Sequence, residues 1–302
     1  MRTAFIETLI LEARKKPELF LVVGDLGYSV VEAFRSEFPD RFLNAGVAEQ
    51  NMTGLAAGLA SEGYHVFTYS IANFPTLRCL EQIRNDVCYH RLPVTIVSVG
   101  AGVAYGSLGY SHHAVQDIGI MSSLPEITVL SPADPGEARS CVSWLCENPR
   151  PSYLRIGKAG EPELHKIPWR ALKPIRVSGD LGARLAIVCT GSILRLGLDA
   201  ATELRSSGVS VAVYSVSWLH PLQPEDLDEL SNHEKILSVE EHLPDLGLGA
   251  LIRARLNAPC QIKSIGLQAS ALSEVGSQNF LRERSQLTID EIIRTSRDLH
   301  SA

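Results

Sequence analysis

Three things are scarce or missing in this 302-residue chain: an excess of positive charge, paired cysteines and long apolar runs. Lys and Arg number 28 against 34 Asp and Glu, a net charge of −6, so there is no basic stripe of the kind that nucleic-acid binding requires. The six Cys form no C-x-x-C pair, which excludes a zinc ribbon and a redox dithiol. They read instead as reduced core thiols of a cytoplasmic protein. No apolar run approaches the ~20 residues needed to cross a bilayer, so no contact with a membrane is expected. The start, Met1-Arg2-Thr3-Ala4-Phe5, runs straight into a polar helical pattern ending near Lys16, unlike a signal peptide. Low-complexity tracts and obvious repeats are absent as well. His112 and His113 are adjacent but have no third ligand partner, so a resident metal site is not expected.

What is present is 45% hydrophobic and 21% charged, ordinary for a soluble globular protein, and the length suggests about two domains. Short apolar runs alternate with helical periods, the pattern of an α/β fold: two domains with mostly parallel sheets flanked by helices. Residues 19–23, 93–99, 127–130 and 152–156 read as buried strands, and Ser131-Pro132-Ala133-Asp134-Pro135-Gly136-Glu137 as a turn feeding a helix. From Gly157 to about Leu181 the pattern fades into Pro, Gly and charge. The expected organisation is therefore a domain over 1–160, a linker over 161–182 and a domain over 183–302. In the second domain 185–189, 209–216 and 235–239 read as strands, and Thr288-Ile289-Asp290-Glu291 has capping-box spacing at the start of the last helix.

The most informative run is Asn44-Ala45-Gly46-Val47-Ala48-Glu49-Gln50-Asn51-Met52-Thr53-Gly54. It places one carboxylate at the mouth of an Ala/Gly helix, just after a strand-like stretch. Gly54 and Gly58 lie one turn apart, so another helix or backbone is expected to pack closely there. A carboxylate on so rigid a platform is placed for proton chemistry on a bound heterocycle. The plainer reading is a Glu favoured at a helix start by the macrodipole. The run closely resembles the pyrimidine-binding domain of transketolases. The resemblance implies that Glu49 hydrogen-bonds the aminopyrimidine ring of thiamine diphosphate and activates that cofactor. A second run, from Phe67 through Tyr69, Asn73, Phe74 and Arg78 to Glu81-Gln82-Ile83-Arg84, is similar to the family's ring-stacking segment. By that resemblance Phe74 is the stacked face, Tyr69 a further cofactor contact, and Arg78 and Gln82 order the loop. Ordinary core packing is the alternative for Phe74. The second half, with Val239-Glu240-Glu241-His242 and Gly247-Leu248-Gly249, resembles the family's C-terminal domain and is expected to support assembly rather than chemistry.

The family's diphosphate and magnesium site, a Gly-Asp-Gly run followed by an Asn ligand, has no counterpart. Gly24-Asp25-Leu26-Gly27 and Gly179-Asp180-Leu181-Gly182 both lack a Gly after the Asp. Magnesium demands near-octahedral oxygen ligands, which neither string supplies. The chain thus resembles the pyrimidine-binding and C-terminal domains of a split transketolase. That resemblance implies an obligate partner subunit carrying the diphosphate-binding domain and most of the Mg2+ site. It also implies a heterotetramer, and self-association through the two domains of this chain.

Gly106-Ser107-Leu108-Gly109-Tyr110-Ser111-His112-His113-Ala114-Val115-Gln116-Asp117 is similar to the family loop that ends in Thr/Ser-His. His112 matches the histidine facing the reacting carbon, and an imidazole can bind or protonate a developing alkoxide near neutral pH. Ser29 and Arg155 match positions that bind acceptor phosphate; for Arg155 the alternative is a strand-end salt bridge. Ser107-Leu108 stands where sugar-using relatives carry an acidic pair, Gly100 where they carry a phosphate-touching His, and Gln116 where Glu is common. Cofactor activation is kept while the groups that read polyols are partly lost, which points to a deoxy, amino or nucleotide-linked sugar or a 2-oxo acid. The implied function is the small subunit of a split transketolase-like transferase, moving a two-carbon ketol unit from a ketose-type donor to an aldehyde or ketone. The alternatives are a 2-oxo acid dehydrogenase β chain, a deoxyxylulose-phosphate-synthase-like subunit, and a non-catalytic regulatory subunit, against which Glu49 speaks.

Overall fold

Every residue of Leu19–Val23, Val94–Val99 and Ser152–Ile156 is buried, and strands that are covered on both faces belong in parallel sheets with helices above and below. In the computed structural model, which describes residues 1–301, they do. The first half runs α1 (Arg2–Ala13), β1 (Leu19–Val23), α2 (Glu32–Glu37), β2 (Phe42–Asn44), α3 (Glu49–Ser61) and β3 (His65–Ile71). It continues with α4 (Leu80–Gln82), a π-helical turn over Ile83–Cys88, β4 (Val94–Val99), α5 (Asp117–Ser122), β5 (Thr128–Leu130), α6 (Pro135–Glu147) and β6 (Ser152–Ile156). The second half runs β7 (Ile175–Ser178), β8 (Leu185–Thr190), α7 (Leu194–Ser206), β9 (Val211–Ser215), β10 (Trp218–His220) and β11 (Lys235–Glu240). It ends with α8 (Leu248–Arg255), β12 (Gln261–Ile265), α9 (Gln278–Arg284) and α10 (Ile289–Ser301).

The strands form two sheets, of order β10-β5-β6-β4-β3-β1-β2 and β12-β11-β8-β9-β7. All neighbours are parallel except β10 on β5 and β7 on β9. The expected α/β architecture of two mostly parallel, helix-flanked sheets is the observed one. In the first sheet β1 pairs with β2 on one side and β3 on the other. The chain therefore reverses its direction of travel at β1, and the crevice at the carboxyl ends of β1 and β3 is where sheets of this kind bind ligands. α1 packs against α6 on one face, while α3 lies on β3. Asp134 caps α6 by accepting the Glu137 N–H at 2.8 Å, with Pro135 in the first turn, as the turn chemistry predicts.

Three elements depart from the sequence reading. Residues 65–71 form a central strand rather than only a motif segment: Phe67 and Tyr69 face Phe5 of α1, and Ser70 faces the opposite side. β7 lies inside the stretch read as linker, and pairs with β9 across a register shift. β10 belongs to the second half in sequence but closes the edge of the first sheet. That strand brings Trp218 edge-on to Trp144 (4.8 Å), and Trp169 also meets Trp144 edge-on (6.5 Å), so all three tryptophans of the chain meet at the junction. The apolar core is accordingly continuous from the first sheet to residues such as Tyr214, Leu219 and Ile236 of the second half.

Candidate active site

Three connections at the carboxyl edge of the first sheet supply the predicted residues. Glu49 opens α3 after β2, Phe74 and Arg78 follow β3, and His112 follows β4. Glu49 is 1% exposed, although it stands at a helix N-terminus where the dipole favours negative charge. Its backbone carbonyl accepts the Thr53 hydroxyl at 2.9 Å, and its side chain lies beneath the end of β1: a Cβ on Gly24 would touch Ser70 Oγ at 3.5 Å and Glu49 Cγ at 3.6 Å. Arg78 Nη1 donates to Glu49 Oε2 at 2.6 Å. The second carboxylate oxygen, Oε1, is buried without a partner.

From Glu49 the contacts run outward in a chain. The Arg78 guanidinium sits over the Phe74 ring at 4.9 Å, and Phe74 meets the His112 ring edge-on at 5.1 Å. Four residues singled out on three separate segments of sequence thus form one continuous group. Asn73 binds the two loops together by donating to the backbone carbonyl of His113. His112 Nδ1 lies 3.0 Å from Ser111 Oγ. His113 is fully buried with both ring nitrogens unpartnered, and burial holds its imidazole below the usual histidine range. Gln82 ends α4, immediately before the π-helical turn, and its Oε1 is also buried and unpartnered. Interruptions of this type recur at functional sites. Beside Glu49, burial pushes the Cys79 thiol up to about 11, which leaves it a core thiol rather than a nucleophile.

Ser29 lies on the exposed loop after β1, in left-handed backbone (φ +60°) like Asp25 (φ +57°). Strained non-glycine backbone of this kind persists where surroundings hold it. Here Asp25 and Asn44 exchange two hydrogen bonds, of 3.0 and 2.9 Å, and the Ser29 N–H donates to Glu32 at 2.8 Å.

Two expected site residues are placed elsewhere. Tyr69 is 2% exposed and stacks on Phe5 (5.7 Å, 25°), because alternation along β3 sends it to the α1 side, away from Glu49. Arg155 is buried and spent internally: it donates to Asp117 Oδ2 at 2.8 Å and to the Ala114 and Glu241 carbonyls at 2.9 and 3.0 Å. The salt-bridge alternative, not a phosphate contact, describes it. The close packing expected at Gly54 and Gly58 is also absent within this chain. Both are exposed, and a Cβ at either would meet nothing within 4 Å. Sequence reading quoted Asn73, Asp117 and Glu241 inside its motif runs but gave none of them a role; in the structure they are the partners that fix the loops.

The arrangement offers a buried carboxylate with one free acceptor, an apolar ring beside it and an imidazole at the rim. Such a set can hold a protonated ring nitrogen and move a proton at a neighbouring oxygen. The orphaned Glu49 Oε1 and Gln82 Oε1 fit an aminopyrimidine, which supplies N–H donors. Among the described residues no group of three or more His, Cys, Asp or Glu converges as a metal site, and no helix is long and apolar enough to cross a membrane.

Residues 1–160 match the family model described as the transketolase pyrimidine binding domain, and residues 175–277 that of the transketolase C-terminal domain. Over 298 residues the chain is 30% identical to an apulose-4-phosphate transketolase subunit of Actinobacillus succinogenes, covering 95% of this chain and 94% of that one. It is 28% identical to a 6-deoxy-6-sulfo-D-fructose transketolase subunit of a Clostridium species, with 99% and 94% covered. Among solved structures, a split gene transketolase described as an inactive β4 tetramer superposes with a TM-score of 0.89 at 29% identity. That match covers 99% of this chain and 97% of the other.

Proposed function

The chain belongs to the transketolase family, and on that premise we propose that it is the small subunit of a split transketolase. As such it transfers a two-carbon ketol unit from a ketose-type donor to an aldehyde or ketone acceptor. The observation that carries the reading is Glu49: a buried carboxylate with Oε2 fixed by Arg78 and Oε1 left without a partner. Thiamine diphosphate, the family's cofactor, when bound supplies the electron sink that lets a C–C bond beside a carbonyl break. Glu49 Oε1 accepts the hydrogen bond from the protonated ring nitrogen, and Arg78 keeps the carboxylate turned toward it. Phe74 gives the ring an apolar face, and Gln82 Oε1 a further acceptor. His112 binds the substrate oxygen and holds or returns its proton. Ser29, on the loop after β1, binds the anionic end of the substrate.

The pyrimidine-binding domain then spans 1–160, and the C-terminal domain takes in β7 as well as the expected 183–302, which shortens the connection read as 161–182 to about 161–174. No string in the chain offers a diphosphate and magnesium site, so a partner subunit holds the diphosphate and the Mg2+, in a heterotetrameric cytoplasmic enzyme. Support for a partner lies in the surface around the site. Tyr28 (72% exposed), Val47 (75%), Leu55 and Leu77 are apolar and uncovered on segments flanking Glu49 and Arg78. Gly54 and Gly58 leave α3 open to close approach on the side of Leu55. Self-association through both domains of this chain completes the heterotetramer. Leu108, exposed on the His112 loop where sugar-using relatives carry an acid, favours a donor without a hydroxyl at the group it meets. The two named relatives act on substrates with an anionic end, consistent with the role given to Ser29.

Isothermal titration of thiamine diphosphate and Mg2+ tests this, with the purified chain alone and with the chain co-expressed with a diphosphate-binding subunit. Tight, metal-dependent binding is expected only in the pair. Tight binding by the single chain would remove the partner from the proposal.

A further inference from the structure

The loop that carries His112 is pinched shut at its base. Gly102 and Ala114 exchange two backbone hydrogen bonds, of 3.1 and 2.8 Å, which close the base of residues 103–113; farther out, Asn73 holds the His113 carbonyl and the Gly276 N–H the Gly106 carbonyl. Both limbs of that bridge are held by one short segment of the second half. On the entering limb, the Val103 N–H donates to Glu241 Oε1 at 2.8 Å. On the leaving limb, the Leu243 N–H donates to the Val115 carbonyl at 3.0 Å, and Arg155 ties the Ala114 carbonyl to that of Glu241. His112 lies two residues before Ala114.

Glu241 is itself immobilised. Gln278 Nε2 donates to both carboxylate oxygens at 2.9 and 3.1 Å, and Arg282 Nε donates to Oε2 at 2.8 Å, all from α9. The fit is close on the loop side. Gly102 has φ +64°, and a Cβ there would run into the Glu241 carboxylate. A Cβ on Gly106 would collide with Leu281 and the Gly276 carbonyl. The second half therefore adds no group to the site, yet its Glu241 grips the loop where it leaves β4.

We propose that Glu241 is a positioning residue for His112: by accepting the Val103 N–H it fixes the base of the loop and so the reach of the imidazole. This rests on the role given to His112 above. Without the carboxylate the buried Val103 N–H has no acceptor, and a displacement of about 1 Å at the imidazole costs on the order of 10²-fold in rate.

The test is a double-mutant cycle in the reconstituted two-subunit enzyme, using E241A, H112A and the pair, with E241Q as the conservative variant. We expect E241A to lower kcat by about 10- to 100-fold with donor KM and cofactor affinity little changed. That loss should shrink to under about 3-fold when His112 is already Ala. E241Q keeps a carbonyl acceptor for Val103 and should regain most of the rate. Losses that multiply in the double variant, or an E241A enzyme as fast as wild type while H112A is slow, would overturn the proposal. If H112A itself turns over normally, the reading of His112 fails, and the ring signals of His112 in NMR spectra of the isolated chain decide positioning alone. A shifted or broadened signal in E241A supports it, and an unchanged signal overturns it. Where E241A does not fold, Q278A, which removes one of the two side chains that hold the carboxylate while Arg282 keeps the other contact, takes its place in the same cycle, with a smaller loss expected and the same requirement that it shrink when His112 is Ala.

Discussion

Glu49 and Glu241 are both buried glutamates bonded to an arginine, and they differ in what is left over. Glu241 has both oxygens occupied, by the Val103 N–H, Gln278 and Arg282. Glu49 has one oxygen held by Arg78 and the other bare. The first half of the molecule also carries the strained loop at Asp25 and Ser29 and the uncovered apolar residues Tyr28 and Val47. An unsatisfied buried acceptor costs ~1–3 kcal/mol, so a fold keeps one where a ligand completes it. The two carboxylates show the same kind of ion pair with an acceptor left open in one place and every oxygen taken up in the other.

The comparison breaks most visibly at Glu49→Gln. The amide keeps the shape and can still accept from Arg78, but it loses the charge that holds a ring proton. In the reconstituted enzyme kcat should fall by about 10²–10⁴-fold, the range for a lost acid–base group, with the thermal transition of the isolated chain little moved. The same exchange at Glu241 should do the reverse, lowering stability by ~1–3 kcal/mol through the buried hydrogen bonds it weakens while keeping most of the rate. An E49Q enzyme with full turnover would end the catalytic reading of Glu49.

Next in size is Arg155→Met. Removing the guanidinium leaves Asp117 buried, with the Tyr153 hydroxyl at 2.6 Å as its remaining side-chain donor. Its other oxygen faces His242 Nε2 at 3.7 Å, and burial holds that imidazole down at about 4, hence neutral. Breaking one side of a buried pair costs ~3–5 kcal/mol, so the urea midpoint should fall sharply. Had Arg155 been a phosphate ligand, the signature would instead be a raised substrate KM at unchanged stability.

The ease with which each feature could be read from sequence follows from how local it is. Residues 19–23 and 152–156 match their strands residue for residue, because a strand buried on both faces is a bare apolar run. β10 is three residues long and pairs with a sheet in the other half, so no local period announces it. Glu49, Phe74, Arg78 and His112 were singled out from their motifs and lie together in the fold, whereas Tyr69, singled out by the same reasoning, packs on Phe5, since a motif does not say which face of a strand a ring takes. Glu241 meets Val103 across 138 positions of sequence, a pairing that only the folded chain reveals.

The smallest predicted effect contrasts the halves by pH. Burial, helped by nearby Lys16, holds His65 on β3 down at about 4, and its nearest polar contact, Thr95 Oγ1, is a long 3.4 Å away. Below about 6.5 the unfolded chain takes up a proton that the folded chain refuses. Stability from this group is therefore complete above that pH and falls by ~1.4 kcal/mol per unit as pH drops toward 4. In the second half His242 behaves alike, but Glu240 opposes it. Burial pushes that carboxyl up to about 7 against the N–H donors of Gly249 and Leu248, so its contribution is present at low pH and lost as pH rises through 7. Between about pH 4.5 and 6.5 the pair nearly cancels, which leaves His65 to set the slope of these three groups. Chemical denaturation across that window should give a curve flatter than wild type by about 1.4 kcal/mol per unit for His65→Gln, and one steeper by as much for Glu240→Gln. Three parallel curves would mean that neither group titrates between folded and unfolded chain as its burial requires, and the contrast between the halves would then rest on geometry alone.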